Sequence, residues 1–94
     1  MTVSRSLLQA RVLIDAEDEA ARAHAKHGAH SMYYGGTSND RRCSILTEEV
    51  GEVAKELNEA AYAALDLRRL RAELIQVAAM ALTWAQAIDD REIQ

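Results

Sequence analysis

Apolar residues recur along most of the chain at the three-and-four spacing of a helix, and one stretch breaks the rhythm. Leu46, Val50, Val53, Leu57 and Ala60 follow one another at intervals of four, three, four and three. On a helical wheel they form one stripe of roughly 80°. Ser44 stands where an N-cap belongs, so a helix is predicted to start near it. Further on, Leu67, Leu70, Leu74, Val77, Ala81, Trp84 and Ile88 keep the same rhythm as a three-heptad seam. Such a seam needs a partner helix. This helix is predicted from Leu67 to Ile88, with Asp66 as its cap. A first helix, Ser4 to Lys26, is patterned more loosely. Leu7, Leu8, Leu13 and Ile14 open it, and Ala16, Ala20, Ala21 and Ala23 continue as a face of small side chains. Residues 28–44 contain every glycine but Gly51, with Thr37, Ser38, Asn39 and Asp40 behind them, and read as the clear loop. Residues 60–66 hold neither Gly nor Pro, so a tight turn near Ala63–Asp66 and one uninterrupted helix both fit. Nothing marks a linker or a repeat. The expectation is a single all-α helical domain over residues 1–94.

Composition bears on how such a domain is completed. The chain has 94 residues with no Pro, no Phe, one Trp and three Tyr, and alanine supplies much of its apolar content. A chain of this size buries only ~60–65% of its unfolded surface alone. Alanine adds little area, so a homo-oligomer is expected. A single cysteine rules out an internal disulfide framework and a cysteine-based zinc site. Fifteen acids against eleven bases give a net charge of −4, which argues against a nucleic-acid polymer as partner. No apolar run approaches the ~18 residues of a membrane span. Gln9, Arg11 and Asp15 interrupt the early apolar stretch, so no signal-peptide pattern appears. A soluble, cytoplasmic protein is expected.

The acidic residues carry the chemistry. On a helix, Glu49 and Glu52 project side by side, and so do Glu73 and Gln76 on the next helix. Glu49 and Glu73 each lie just beside their apolar stripe, with Glu52 and Gln76 about 60° further round. If the stripes pack together, the two oxygen pairs face one another. Carboxylates gathered in this way repel unless a cation lies between them, and hard oxygen donors select Mg²⁺, Mn²⁺ or Ca²⁺. Against this stands the ordinary reading of an acidic run as a solvated helix face. Two features favour the site. The acids flank the seam instead of lying opposite it, and Gly51 sits mid-helix at a cost of ~1 kcal/mol relative to Ala.

The segment ILTEEVGEVAKELNEA (Ile45–Ala60), followed by LRAELIQVAAMALTWAQAID (Leu70–Asp89), resembles the MazG-like all-α nucleoside triphosphate pyrophosphohydrolases, in particular short bacterial and phage members. The superfamily signature is Glu-Glu-x-x-Glu, then Glu-x-x-Asp after a spacer. Glu48, Glu49 and Glu52 match the first part, and Glu73 begins the second. Ala25-Lys26-His27-Gly28 and the polar loop behind it match the subgroup more weakly. The resemblance implies a helical bundle working as a homodimer or homotetramer, with sites near subunit contacts. It implies Mg²⁺-dependent cleavage of a nucleotide between its α- and β-phosphates, with Mn²⁺ as a possible substitute. Glu49, Glu52 and Glu73 would hold the ion, and Glu48 would assist as a further ligand or orient the attacking water. Gln76 departs from the pattern, standing where Asp is expected. Its amide oxygen can coordinate but carries no charge and cannot act as a base. A module that has lost hydrolysis and keeps only nucleotide binding, or only assembly through the seam of the Leu67–Ile88 helix, is the alternative.

Other groups are weighed by position. Arg41 and Arg42 could meet phosphate oxygens in bidentate fashion, or lie solvated in the loop. Lys55 could neutralise phosphate or pair with Glu59. Trp84 lies on the seam, favouring packing over a base contact. Tyr33 and Tyr34 stack on a base or cover the bundle end. His24, His27 and His30 are spaced three apart, but Gly28 is expected to end the helix between them, which disfavours a zinc site. Cys43 reads as a small apolar residue.

Overall fold

A computed structural model describes residues 7–28, 31–60 and 64–91. Three helices make up nearly all of it: α1 (Ala10–His27), α2 (Asn39–Glu59) and α3 (Leu67–Arg91). Among the described residues there is no strand, as the patterning predicts. No helix is long and apolar enough to cross a membrane.

Each helix end has a local cause. Helix α1 starts later than predicted: Leu7–Gln9 are not helical, and Ser4–Ser6 lie outside the described residues. It stops at Gly28, whose φ of 52° is poorly tolerated by residues with a Cβ. The Gly28 N–H donates to the His24 carbonyl. Helix α2 starts earlier than predicted. Its cap is Ser38, not Ser44: the Ser38 hydroxyl accepts from the Arg41 N–H at 3.1 Å. Residues 39–44, polar enough to read as loop, form the first turns of α2. Asp66 caps α3 as predicted, its carboxylate accepting from the N–H groups of Arg68 (3.0 Å) and Arg69 (3.2 Å). The α2 and α3 helices are separate, which removes the single-long-helix option; of the turn expected near Ala63–Asp66, residues 64–66 are not helical and Ala63 lies outside the described residues.

Both α1 and α2 pack on α3 and not on one another. Trp84 meets Asn39 near one end of the α2–α3 pair, and Arg69 meets Glu56 near the other, so these two helices run antiparallel. Arg71 of α3 bonds Asp15 early in α1 at 2.6 Å, and the loop after α1 reaches Asp90 at the end of α3. Helix α1 therefore runs in the direction of α3. Alanine makes this contact close: Ala16 is 2% exposed and Ala79 is 3% exposed. The face of small residues in α1 does the packing, while Leu13 and Ile14 remain half exposed.

The α3 seam is only partly covered. Leu70, Val77, Trp84 and Ile88 are partly buried, but Leu67 (69%) and Leu74 (50%) stay open. A single stripe cannot serve two neighbouring helices, so burial spreads around α3 to Ala79 and Ala87. Gly51 has nothing within 4 Å of where a Cβ would stand, so packing within this chain does not require glycine there.

The loop between α1 and α2 is clamped. Arg42 is 4% exposed. Its guanidinium donates to the carbonyls of Met32 (2.9 Å) and Tyr34 (2.9 Å) and to Asn39 Oδ1 (3.0 Å). Tyr33 donates to Asp90 Oδ2 at 2.6 Å, and the Arg91 guanidinium lies 4.2 Å from its ring centroid. Removing a buried charge that satisfies three acceptors is among the expensive single changes. Arg42→Ala is expected to cost about 3 kcal/mol, and the exposed Arg41→Ala under about 0.5 kcal/mol; urea denaturation of the two variants checks the contrast.

Candidate functional site

A cleft of about 400 Å³ opens where α1 and α2 part above α3. Gln76, Ala79, Met80 and Thr83 of α3 form its floor, Glu48 and Glu49 line the α2 wall, and Glu19 lines the α1 wall. The pattern of α2 explains the Glu49 placement. Being one residue before Val50 and three after Leu46, it lies at the stripe's edge and is drawn partly inward.

Glu49 is the carboxylate in the cleft whose surroundings disturb it. Its Oε2 is closed off from solvent and has no hydrogen-bond partner. Burial pushes its pKa upward, and the charges of Glu73, Glu52, Glu19 and Glu48 push it further. Four carboxylates on three helices thus act on one. Glu73 and Gln76 are partly buried, while Glu48 and Glu52 are exposed. Glu48, Glu49 and Gln76 share the cleft; Glu52 and Glu73 do not line it and act from beside it. Among the described residues, no three His, Cys, Asp or Glu side chains are gathered closely enough to hold a metal ion as they stand. The donor chemistry nevertheless fits a hard cation: all are oxygens, and one is buried without a partner.

Glu19 is the member that sequence reasoning missed. It falls between Ala16 and Ala20–Ala23, a lone acid on the packing face of small residues, and that interruption was the available signal. Arg22 already holds it, with Nε 3.0 Å from Oε2.

Several expected contacts are relocated. Arg42, considered for phosphate or for a solvated loop, does neither: it is buried and satisfied by the 32–34 backbone and Asn39. Arg41, its neighbour, lines the cleft. Lys55 is exposed and does not line the cleft, and its expected pairing with Glu59 is not among the ion pairs of the described residues. Trp84 donates from Nε1 to Asn39 Oδ1 at 2.9 Å, joining α3 to the start of α2. Tyr33 covers the bundle end, and Tyr34 is 47% exposed. His24 and His27 line the cleft, while His30 lies outside the described residues. Cys43, read as a small apolar residue, is exposed.

No protein-family model matches the chain, and neither a curated protein nor a solved structure matches it. The functional reading therefore stands on the residues themselves and on the motif resemblance.

The Glu49 shift has a measurable sign. Its folded-state pKa lies above its unfolded value, so between the two the folded chain binds more protons. Stability then falls as pH rises through that window and stays lowered above it. Glu49→Gln cannot ionise. In metal-free buffer it is expected to be more stable than the unsubstituted chain at pH 7 and nearly equal to it near pH 4, as measured by urea denaturation at both values.

Proposed function

We propose that this chain is a Mg²⁺-dependent nucleotide pyrophosphohydrolase of MazG-like type, converting a nucleoside triphosphate and water to a nucleoside monophosphate and pyrophosphate. The observation that carries the reading is Glu49: a partly buried carboxylate with one oxygen unpartnered at the edge of a cleft, on which the charges of Glu73, Glu52, Glu19 and Glu48 act. Such a charge is stabilised by a cation, and the motif supplies its companions.

On this reading Glu49, Glu52 and Glu73 hold Mg²⁺, with Mn²⁺ able to replace it, and Gln76 offers a neutral oxygen. When bound, the ion supplies charge neutralisation of the phosphoryl oxygens and lowers the pKa of a coordinated water. Glu48, exposed at the cleft wall, orients the attacking water and takes its proton. The water oxygen forms a bond to the α-phosphorus as the bond from that phosphorus to the bridging oxygen breaks. Pyrophosphate leaves with that oxygen, and the proton passes from Glu48 to solvent. Arg41 faces the phosphates from the α2 wall. Lys55 and Trp84, outside the cleft of one chain, contact substrate only if a second copy brings its own site against them. Arg42 serves the fold.

A homo-oligomer completes the protein on this reading. Leu8 before α1, Leu13 and Ile14 near its start, and Leu67 and Leu74 of α3 are each about half exposed or more. So much open apolar surface on a small chain is what a second copy would cover. The same openness, together with Gln76, favours a second reading: an assembly module without turnover.

Purified protein incubated with nucleoside triphosphates and Mg²⁺ is expected to release pyrophosphate. Glu49→Ala and Glu73→Ala are each expected to lower kcat by roughly 100-fold or more. Millimolar Mg²⁺ is expected to raise the Tm of the unsubstituted chain and not that of Glu49→Ala. No turnover and no Mg²⁺ shift, with or without nucleotide, would leave the assembly module standing. For the oligomer, Leu74→Asp is expected to lower the mass measured by sedimentation equilibrium without loss of helix content.

A further inference from the structure

The apolar stripe of α2 is used on one side only. Leu46 and Val53 are partly buried where α2 packs on α3, while Val50 and Leu57 of the same stripe stay half exposed. The α3 seam divides in the same way. Leu70 and Val77 are partly buried, and Leu67 and Leu74 are open. The two open sets stand side by side. Trp84 meets Asn39 and Arg69 meets Glu56 across the antiparallel pair, which puts Val50 level with Leu74 and Leu57 level with Leu67.

Both open rows point away from the cleft. Val50 is two residues from Glu48 and Leu74 is two from Gln76, a turn of about 200° on a helix, and Glu48 and Gln76 line the cleft. The open rows are also free of charge. No charged residue of α2 lies within about 70° of Val50 on the wheel, and none of α3 lies within about 50° of Leu74.

Two antiparallel helices with one apolar edge joined and the next left open are half of a four-helix bundle. The surface that completes them is another antiparallel pair of the same length, with leucine and valine at the same levels and no charge to bury. A second copy of this chain supplies one. The area suffices: α2 has 21 residues, about 31 Å, and two helices of about 10 Å width give roughly 600 Å² on each copy. The sum of about 1,200 Å² is where stable, specific interfaces begin. Leu13 and Ile14 of α1 sit on a single helix and offer a narrower face.

We propose, resting on the reading of this chain as a homo-oligomer, that the second copy sits on the open α2–α3 face, so that two helix pairs close a four-helix bundle and both clefts point outward. Each chain then holds a whole cleft, and α1 stays outside the contact. Exposed Cys43 lies one heptad before Val50 on the same strip, so the partner shields its thiol.

Sedimentation equilibrium and the rate of thiol modification test this together. The variants are Leu57→Asp and Leu67→Asp on the proposed face and, as control, Ile14→Asp on α1, with helix content checked by circular dichroism. Leu67 stands at the open start of α3, so its variant remains informative if Leu57→Asp fails to fold. The expected result is a dimer for the unsubstituted chain and for Ile14→Asp, and a Kd raised roughly tenfold or more by each face variant. Cys43 is expected to react several-fold more slowly in the dimer than in Leu67→Asp, and more slowly as the unsubstituted chain is concentrated. A monomeric unsubstituted chain at about 100 μM overturns the proposal. So does a dimer broken by Ile14→Asp and kept by both face variants, or a Cys43 rate that is the same in dimer and monomer. A dimer that behaves as expected and hydrolyses no nucleotide keeps this interface and removes the hydrolase reading.

Discussion

One helix has to serve two neighbours, and the rest of the structure follows from how it does so. Helix α3 cannot present a single apolar stripe to both α1 and α2, so its contacts spread around its circumference. Alanine at Ala16 and Ala79 lets α1 sit close without needing a wide apolar face. Helix α2 takes another side of α3 and does not touch α1. The space left between them is the cleft, and the polar residues at the edges of the two stripes become its walls. A bulkier pair at Ala16 and Ala79 would push α1 away from the floor, because packed interiors do not absorb extra volume cheaply.

The two ends of the molecule are built differently. At the end holding the 31–37 loop, polar contacts are nearly complete: Arg42 bonds two carbonyls and Asn39, Asn39 also accepts from Trp84, and Tyr33 bonds Asp90 beneath Arg91. These partners come from the loop, α2 and α3, so they fix the relation of all three. At the opposite end Leu7, Leu8 and Leu67 are largely exposed. Glu49 lies between the two, and among the described residues none supplies its Oε2 with a donor. An unpaired buried carboxylate oxygen opposes folding unless something binds it, whereas the clamped loop holds the cleft's far wall without help.

How far the sequence disclosed this depends on the range of each interaction. Asp66 was legible because capping is local: a carboxylate two and three residues from the N–H groups it accepts. The three helices were legible because periodicity reports burial summed over many residues. Ser38 was not, because Asn39–Cys43 look like loop until Arg42 is known to turn inward, and its acceptors are carbonyls ten and eight residues away. The carboxylates on α2 and α3 were legible as stripe-edge pairs on consecutive helices. Glu19 was not, since its relevance depends on which face of α1 packs, and the loose pattern of α1 does not fix that face. The face of small residues read in α1 is the one that makes the contact, at Ala16, while Leu13 and Ile14 at its start stay about half exposed.

Glu19 also bears on the one departure from the acidic signature. Gln76 contributes an oxygen without a charge, so the α3 side of the cleft is one negative charge short of Glu-x-x-Asp. Glu19 brings a carboxylate to the same end from α1, and its field already reaches Glu49. Its partner Arg22 is mostly exposed, and a solvated ion pair of neighbours on one helix holds its members weakly. A divalent ion beside Glu49 would interact with Glu19 in a drier setting, where attraction is stronger. The total charge facing such an ion therefore need not be lower than in a site with Asp at position 76; it is redistributed from α3 to α1. That shift would tie ion affinity to the position of α1, the helix held to α3 by close alanine contacts and the Asp15–Arg71 pair.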